Sequence, residues 1–218
     1  MKCVKTLGSS AIVAVAFVAF IGTNTASGTV LCKKQGEAGS GGTGTTCPSG
    51  FAYAAETKLH ARATSLEEPV ILELDSLKLE CPESTIQGKT SGEGGEGLGV
   101  SIAVEVLTFL ECPHCEFRVL KAGTVTISWI SGTHAGTVTS NGTEMTWSCF
   151  IPGVGTDHCI YRTENTHLGA IAGGTQATLE VETSIPAVPT GLFCSEAMAW
   201  EGTYTVTEPS ALYVAEKT

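Results

Sequence analysis

The chain has 218 residues and a formal net charge of −10, from 22 acidic side chains against 12 basic ones. That surplus repels phosphate backbones and argues against nucleic acid as a partner. Asp75 and Asp157 are the only aspartates, so no Asp-rich calcium loop can be assembled, and the acidity reads as solubility outside the cell.

The N-terminus sets the compartment. Lys2 and Lys5 precede a run from Leu7 to Ile21 that is almost wholly apolar or small, and small residues follow in Thr23-Asn24-Thr25-Ala26-Ser27-Gly28. This is the order of a secretory signal, and its apolar run is shorter than the ~20 residues that span a bilayer. The expectation is a signal peptide over 1–28, a single mature domain over 29–218, secretion, and no transmembrane segment after cleavage.

Cys3 leaves with the signal. Cys32, Cys47, Cys81, Cys112, Cys115, Cys149, Cys159 and Cys194 remain, and an even count in an exported chain reads as a disulfide framework. Cys32 and Cys47 bracket a Gly/Ser/Thr-rich loop, and Cys149 and Cys159 bracket Ile151-Pro152-Gly153-Val154-Gly155, so each pair is expected to close. Cys112 and Cys115 then close across Pro113-His114, which leaves Cys81 for Cys194.

Between the cysteines the chain alternates apolar and polar residues with period two. Val100, Ile102, Val104 and Val106 share a parity, and Val125, Ile127 and Trp129 share another. Ala177, Leu179 and Val181 alternate with Thr178, Glu180 and Glu182, while Met198, Trp200, Tyr204 and Val206 lie opposite Glu201, Thr203, Thr205 and Thr207. Each run describes a strand with one buried and one wet side. Ser131-Gly132, Asn141-Gly142 and Gly173-Gly174 are hairpin dipeptides, and the glycine-rich Ser91–Gly97 reads as a mobile loop. No stretch keeps helical periodicity. The fold class is all-β: an antiparallel, disulfide-stapled β-sandwich or partly closed barrel.

One motif invites chemistry. Cys112-Pro113-His114-Cys115 resembles the C-P-H-C site of the periplasmic thiol oxidases of the thioredoxin superfamily, which would make Cys112 and Cys115 catalytic. That chemistry needs a long helix whose N-terminus stabilises the first thiolate. Here seven residues, Glu116–Ala122, separate the motif from Gly123 and a β-patterned run. A structural staple is the better reading, and the thiol–disulfide oxidoreductase is the alternative.

The same cysteines with His114, His158 and Cys159 do not offer a second ligand pair at zinc spacing, so no metal and no cofactor is expected. There is no G-x-S-x-G elbow and no H-E-x-x-H helix, and His134 lies in a turn without a nearby aspartate. Trp129, Trp147 and Trp200 share parity with aliphatic neighbours and belong to a core; Phe150, Tyr161 and Phe193 sit beside cysteines and turns, where core filling is the better reading and stacking of one or two of them on a sugar the alternative.

A series of short motifs carries a resemblance. Leu31-Cys32, Cys47-Pro48, Leu79-Glu80-Cys81, Ser84–Thr90, Leu107-Thr108-Phe109 before Cys112, Cys159-Ile160-Tyr161, Phe193-Cys194 and Trp200–Thr207 occur in an order that resembles uncharacterised exported proteins of high-GC Gram-positive bacteria. The resemblance implies secretion and a β fold and brings no activity. The expected role is a non-enzymatic binding or structural module, secreted or at the cell surface, with cell-wall glycan or another surface protein as the partners in view.

Overall fold

The computed structural model describes residues 28–36, 45–65, 68–74, 77–94, 98–113, 115–151, 155–188 and 194–217. Strands β1 (Gly28–Cys32), β2 (Lys58–Thr64), β3 (Val70–Leu74), β4 (Leu77–Cys81) and β5 (Glu83–Thr90) come first. They are followed by β6 (Val100–Leu110), β7 (Cys115–Lys121), β8 (Thr124–Trp129), β9 (Ala135–Asn141) and β10 (Glu144–Ile151). The last are β11 (Gly155–Arg162), β12 (Thr166–Ala172), β13 (Thr178–Val188), β14 (Ala197–Glu208) and β15 (Tyr213–Lys217). The described residues contain no helix.

Eight strands close a barrel in the order β2-β5-β6-β8-β9-β12-β13-β14, with β14 returning to β2. Read in chain order they form an antiparallel meander. Five further strands extend the same staves: β2 runs on into β3, β4 into β5, β7 into β8, β9 into β10, and β11 into β12. The extensions pair as the barrel strands below them do, β3 with β4 and β14, and β10 with both β7 and β11. The fold is therefore a tall eight-stave barrel rather than two separate sheets facing each other.

Most staves bend where barrel meets extension. Gly123 bends the stave between β7 and β8 at φ +69°, and a Cβ there would lie 2.5 Å from the Thr143 amide nitrogen. Asn141-Gly142 is one of these bends and not the hairpin its sequence suggests. β9 pairs with β8 and β12, β10 pairs with β7 and β11, and Gly142 at φ +72° only redirects the chain between them. The dipeptide signals φ > 0, which a kink needs as much as a type I′ turn does. Ser131-Gly132 and Gly173-Gly174 do sit in the β8–β9 and β12–β13 hairpins.

Three buried hydroxyls lock the bends of adjacent staves together. Ser140 Oγ lies 3.0 Å from both Thr143 Oγ1 and Thr163 Oγ1. Thr143 Oγ1 donates to the Ala122 carbonyl at 2.7 Å, and the Thr143 amide donates to Thr163 Oγ1 at 3.0 Å. Buried hydroxyls without partners would each cost about 1–3 kcal/mol, so their mutual satisfaction favours this one arrangement.

One core cluster runs through both levels. The lower part is aliphatic, built on Ile102, Ile127, Val138, Ile171, Leu179 and Val206. The upper part is aromatic. Tyr161, Trp147, Phe117, Phe109, Trp200 and Tyr204 form a chain of ring contacts with centroids 5.3–6.3 Å apart. At the lower mouth β1 and β15 pair as a two-stranded ribbon, and Leu31, Leu212 and Val214 enter the core from it. The ribbon is tied on by Trp129 N–H donating to Thr29 Oγ1 at 2.9 Å and Val214 N–H donating to the His134 carbonyl at 3.2 Å. Of the expected signal only Gly28 lies among the described residues, where it opens β1 opposite Lys217.

The eight cysteines from Cys32 to Cys194 are all in disulfides, and the pairing departs from the expected one. Cys32–Cys47 closes its loop as spacing predicts. The others are Cys81–Cys112, Cys115–Cys149 and Cys159–Cys194. Loop length misleads here because register decides. Cys149 stands opposite Asp157 on one side and Cys115 on the other, while Cys159 stands opposite Trp147. The nearest sulfur to Cys149 is across the ladder and not around the hairpin.

Candidate functional site

The barrel wall is continuous except at one place among the described residues. β6 pairs with β5 over Ile102–Leu110 but with β8 only over Val100–Ala103. Above that level its next neighbour is β7, an edge strand whose only ladder is to β10. The Val104 amide donates to the Gly123 carbonyl at 3.3 Å, the last backbone hydrogen bond between the two staves among the described residues. Beyond it the staves part around a groove of about 560 Å³ lined by Glu105–Leu110, Phe117–Val119 and Ala122.

The causes are local. Val104 faces Gly88 and Val106 faces Gln87, so Glu105 is an extra residue, a β-bulge. The inward parity shifts with it: Val100 and Ile102 are buried below, and Leu107 and Phe109 above. The sequence reading that kept Val106 on the parity of Val104 is corrected by this bulge. Together with the bend at Gly123 it turns β6 and β7 away from each other, and β7 is laddered to β10 on its far edge alone among the described residues.

The lips are fastened in that parted position. Cys112, just past β6, is bonded to Cys81 at the end of β4, and Cys115, the first residue of β7, to Cys149 on β10. Each disulfide joins a lip to a stave of the wall on its own side. Phe109 and Phe117 meet across the gap at 5.6 Å between centroids, so the groove is floored by rings and does not open into a hollow. Leu110 and Leu120 on the lips are 47% and 53% exposed, which puts two of the molecule's large exposed aliphatics beside the gap. The two charged residues that line the groove are matched locally. Glu105 pairs with Lys89 at 2.7 Å and raises the lysine's pKa, and Arg118 donates to Glu116 at 2.8 Å.

Of the C-P-H-C motif, Cys112 and Pro113 follow β6 and Cys115 opens β7, with Glu111 at φ 58° just before Cys112. Its two sulfurs belong to different disulfides, which corrects the expected Cys112–Cys115 bond. A dithiol centre needs its two sulfurs to exchange with each other. β7 follows the motif at once where that chemistry requires a helix N-terminus. The cysteines considered as zinc ligands, Cys112, Cys115 and Cys159, are likewise held in three separate disulfides, and His114 lies outside the described residues.

Sequence spacing missed one pair of reactive types. Ser148 and His158 are cross-strand neighbours on β10 and β11, and Ser148 Oγ meets His158 Nδ1 at 2.5 Å on the exposed outer face. Glu116 faces Ser148 from the other side, giving the order Glu–Ser–His. A catalytic triad places histidine between acid and nucleophile, so this row has the wrong order for nucleophilic attack. His134 sits at the opposite end of the barrel, edge-on to Tyr213 at 5.8 Å between centroids.

Two further expectations are decided by burial. Trp147 and Trp200 are core residues as parity predicts, and Trp129 packs against that core while its Nε1 donates to the Thr133 carbonyl at 2.7 Å. Tyr161, considered as a sugar platform, is buried, because the β11 extension turns it into the aromatic upper core. Phe193 and the side chain of Phe150 lie outside the described residues.

The lower barrel interior encloses an apolar cavity of about 60 Å³ among residues such as Ile86, Ile102, Val125 and Leu168. That is well below the ~150 Å³ of an apolar cavity known to hold benzene, so this part of the barrel is filled by its own side chains. The fold and groove define a disulfide-stapled meander barrel with a packed interior and one parted seam. No family model matches the chain, and neither a curated protein nor a solved structure matches it.

Proposed function

We propose that the chain is exported and acts outside the cell as a non-enzymatic binding or structural module, with the β6–β7 groove as its contact surface. The observation that carries this reading is the parted seam, which combines a concave surface, exposed leucines and lips fixed by disulfides. Four disulfides fit an oxidising compartment, and the resemblance to exported proteins of high-GC Gram-positive bacteria agrees with that. The rival oxidoreductase reading would need Cys112 and Cys115 to exchange with each other, against the separate bonds each makes.

The test is a reductant-coupled turnover assay on the exported chain, run beside a binding screen in which Leu110→Lys and Leu120→Lys variants compete with the unaltered protein. The proposal expects no reductant-dependent turnover, and binding that both substitutions weaken. Turnover that disappears in Cys112→Ser would overturn it.

A further inference from the structure

Resting on the reading of the groove as a contact surface, we propose that its occupant is an extended polypeptide segment, which adds as a strand to the free edge of β6. The backbone argues this first. From Glu105 to Leu110 one edge of β6 is laddered to β5, and the other edge faces the groove without a ladder. Peptide N–H and C=O groups at such an edge are hydrogen-bonding sites waiting for a backbone, and a sugar lacks the matching regular repeat. Six residues of free edge reach about 20 Å, enough for a segment of similar length.

The lips are anchored on opposite sides of the seam. β7 is laddered to β10 on the edge away from the groove and tied there by Cys115–Cys149, and the end of β6 is tied to β4 by Cys81–Cys112.

The side chains specify the segment. Phe109 and Phe117 floor the groove and the exposed Leu110 stands at its edge, while Leu120 is exposed on the same strand as Phe117, so an added strand meets apolar surface. The two charged residues that line the groove are already paired, Glu105 with Lys89 and Arg118 with Glu116, and they offer little net attraction to a charged partner. The segment is therefore uncharged, β-branched and free of proline over its paired stretch. An antiparallel ladder to β6 continues the direction in which β8 already pairs with that strand.

The experiment uses the full oxidised chain and two probes. One is a capped Thr-Val-Thr-Val-Thr-Val peptide, with a counterpart N-methylated at alternate residues. The other is an oligomer of N-acetylglucosamine. Amide hydrogen exchange and amide chemical shifts are followed across β6 and β7 during titration. The proposal expects saturable peptide binding that slows exchange at 105–110, and about tenfold or weaker binding of the N-methylated peptide, since lost ladder hydrogen bonds are each worth about 1 kcal/mol. An unprotected β6 edge at saturating peptide overturns it. So does equal binding of the N-methylated peptide, or protection by the sugar oligomer alone. Those outcomes leave the module reading standing, which only reductant-dependent turnover removes.

Discussion

The Val104 amide donates to the Gly123 carbonyl, and this bond marks the level at which two staves that run side by side below it separate above it. Gly123 is at φ +69°, and a Cβ there would crowd Thr143 N at 2.5 Å and Asn141 O at 2.6 Å. Gly123→Ala is expected to destabilise the protein by about 1–3 kcal/mol, from backbone strain and from the shift forced on the β9–β10 bend. Urea unfolding measures it, and an unchanged midpoint would show that the bend is not confined to glycine.

The hydroxyl cluster predicts coupling. Thr143→Val and Thr163→Val each remove a buried partner of Ser140. Each is expected to cost about 1–3 kcal/mol, and the double variant more than the sum, because each single change leaves the buried Ser140 hydroxyl one partner and the double change leaves it none. A double-mutant cycle in urea reads the difference. Strict additivity would mean that the three hydroxyls act independently.

Tyr204 gives the molecule an alkaline limit. Its hydroxyl, fully buried, lies 2.8 Å from Ser84 Oγ and accepts from Trp200 Nε1 at 3.1 Å, and burial pushes its pKa well above the ordinary value for tyrosine. A group whose pKa is raised on folding contributes stability that is complete below its unfolded pKa, about 10 for tyrosine, and that declines as pH climbs past it. Stability is therefore expected to fall above about pH 10, and Tyr204→Phe to flatten that fall while lowering stability at neutral pH by about 1–3 kcal/mol. Unfolding midpoints at pH 7 and above pH 10 check both parts, and an unchanged alkaline slope in the variant would rule the tyrosine out as its source.

The lip disulfides are expected to support the whole fold. Cys115 and Cys149 are 34 residues apart in sequence. Replacing both with serine removes a constraint worth about 3–4 kcal/mol in the chain-entropy description. The variant should unfold at a clearly lower denaturant concentration, and a native-like midpoint would mean that the β7–β10 ladder holds without its staple.

How far the sequence speaks follows the range of each signal. Alternation at Val125, Ile127 and Trp129, or at Ala177, Leu179 and Val181, names strand faces because parity is a local property. The same rule fails at Glu105, where one bulged residue moves the inward positions from Ile102 to Leu107. The break is visible afterwards, since Leu107 and Phe109 do not share the parity of Val100 and Ile102. Asn141-Gly142 announces positive φ but not whether the chain reverses or only bends. Cys32 and Cys47 pair as their loop suggests, whereas Cys112, Cys115, Cys149 and Cys159 pair by lateral register, which no spacing encodes. The groove was hidden for the same reason: its lips, β6 and β7, are consecutive strands that sequence alone would join.

The separation of the two C-P-H-C sulfurs is the claim on which the module reading and the parted seam both depend, and a non-reduced tryptic map tests it directly. Trypsin releases Cys112 and Cys115 together on the peptide 90–118, Cys81 on 79–89, and Cys149 with Cys159 on 122–162. The account predicts that 90–118 is recovered only covalently joined to 79–89 and 122–162. Recovery of 90–118 alone, two hydrogens lighter than its reduced form, would contradict it.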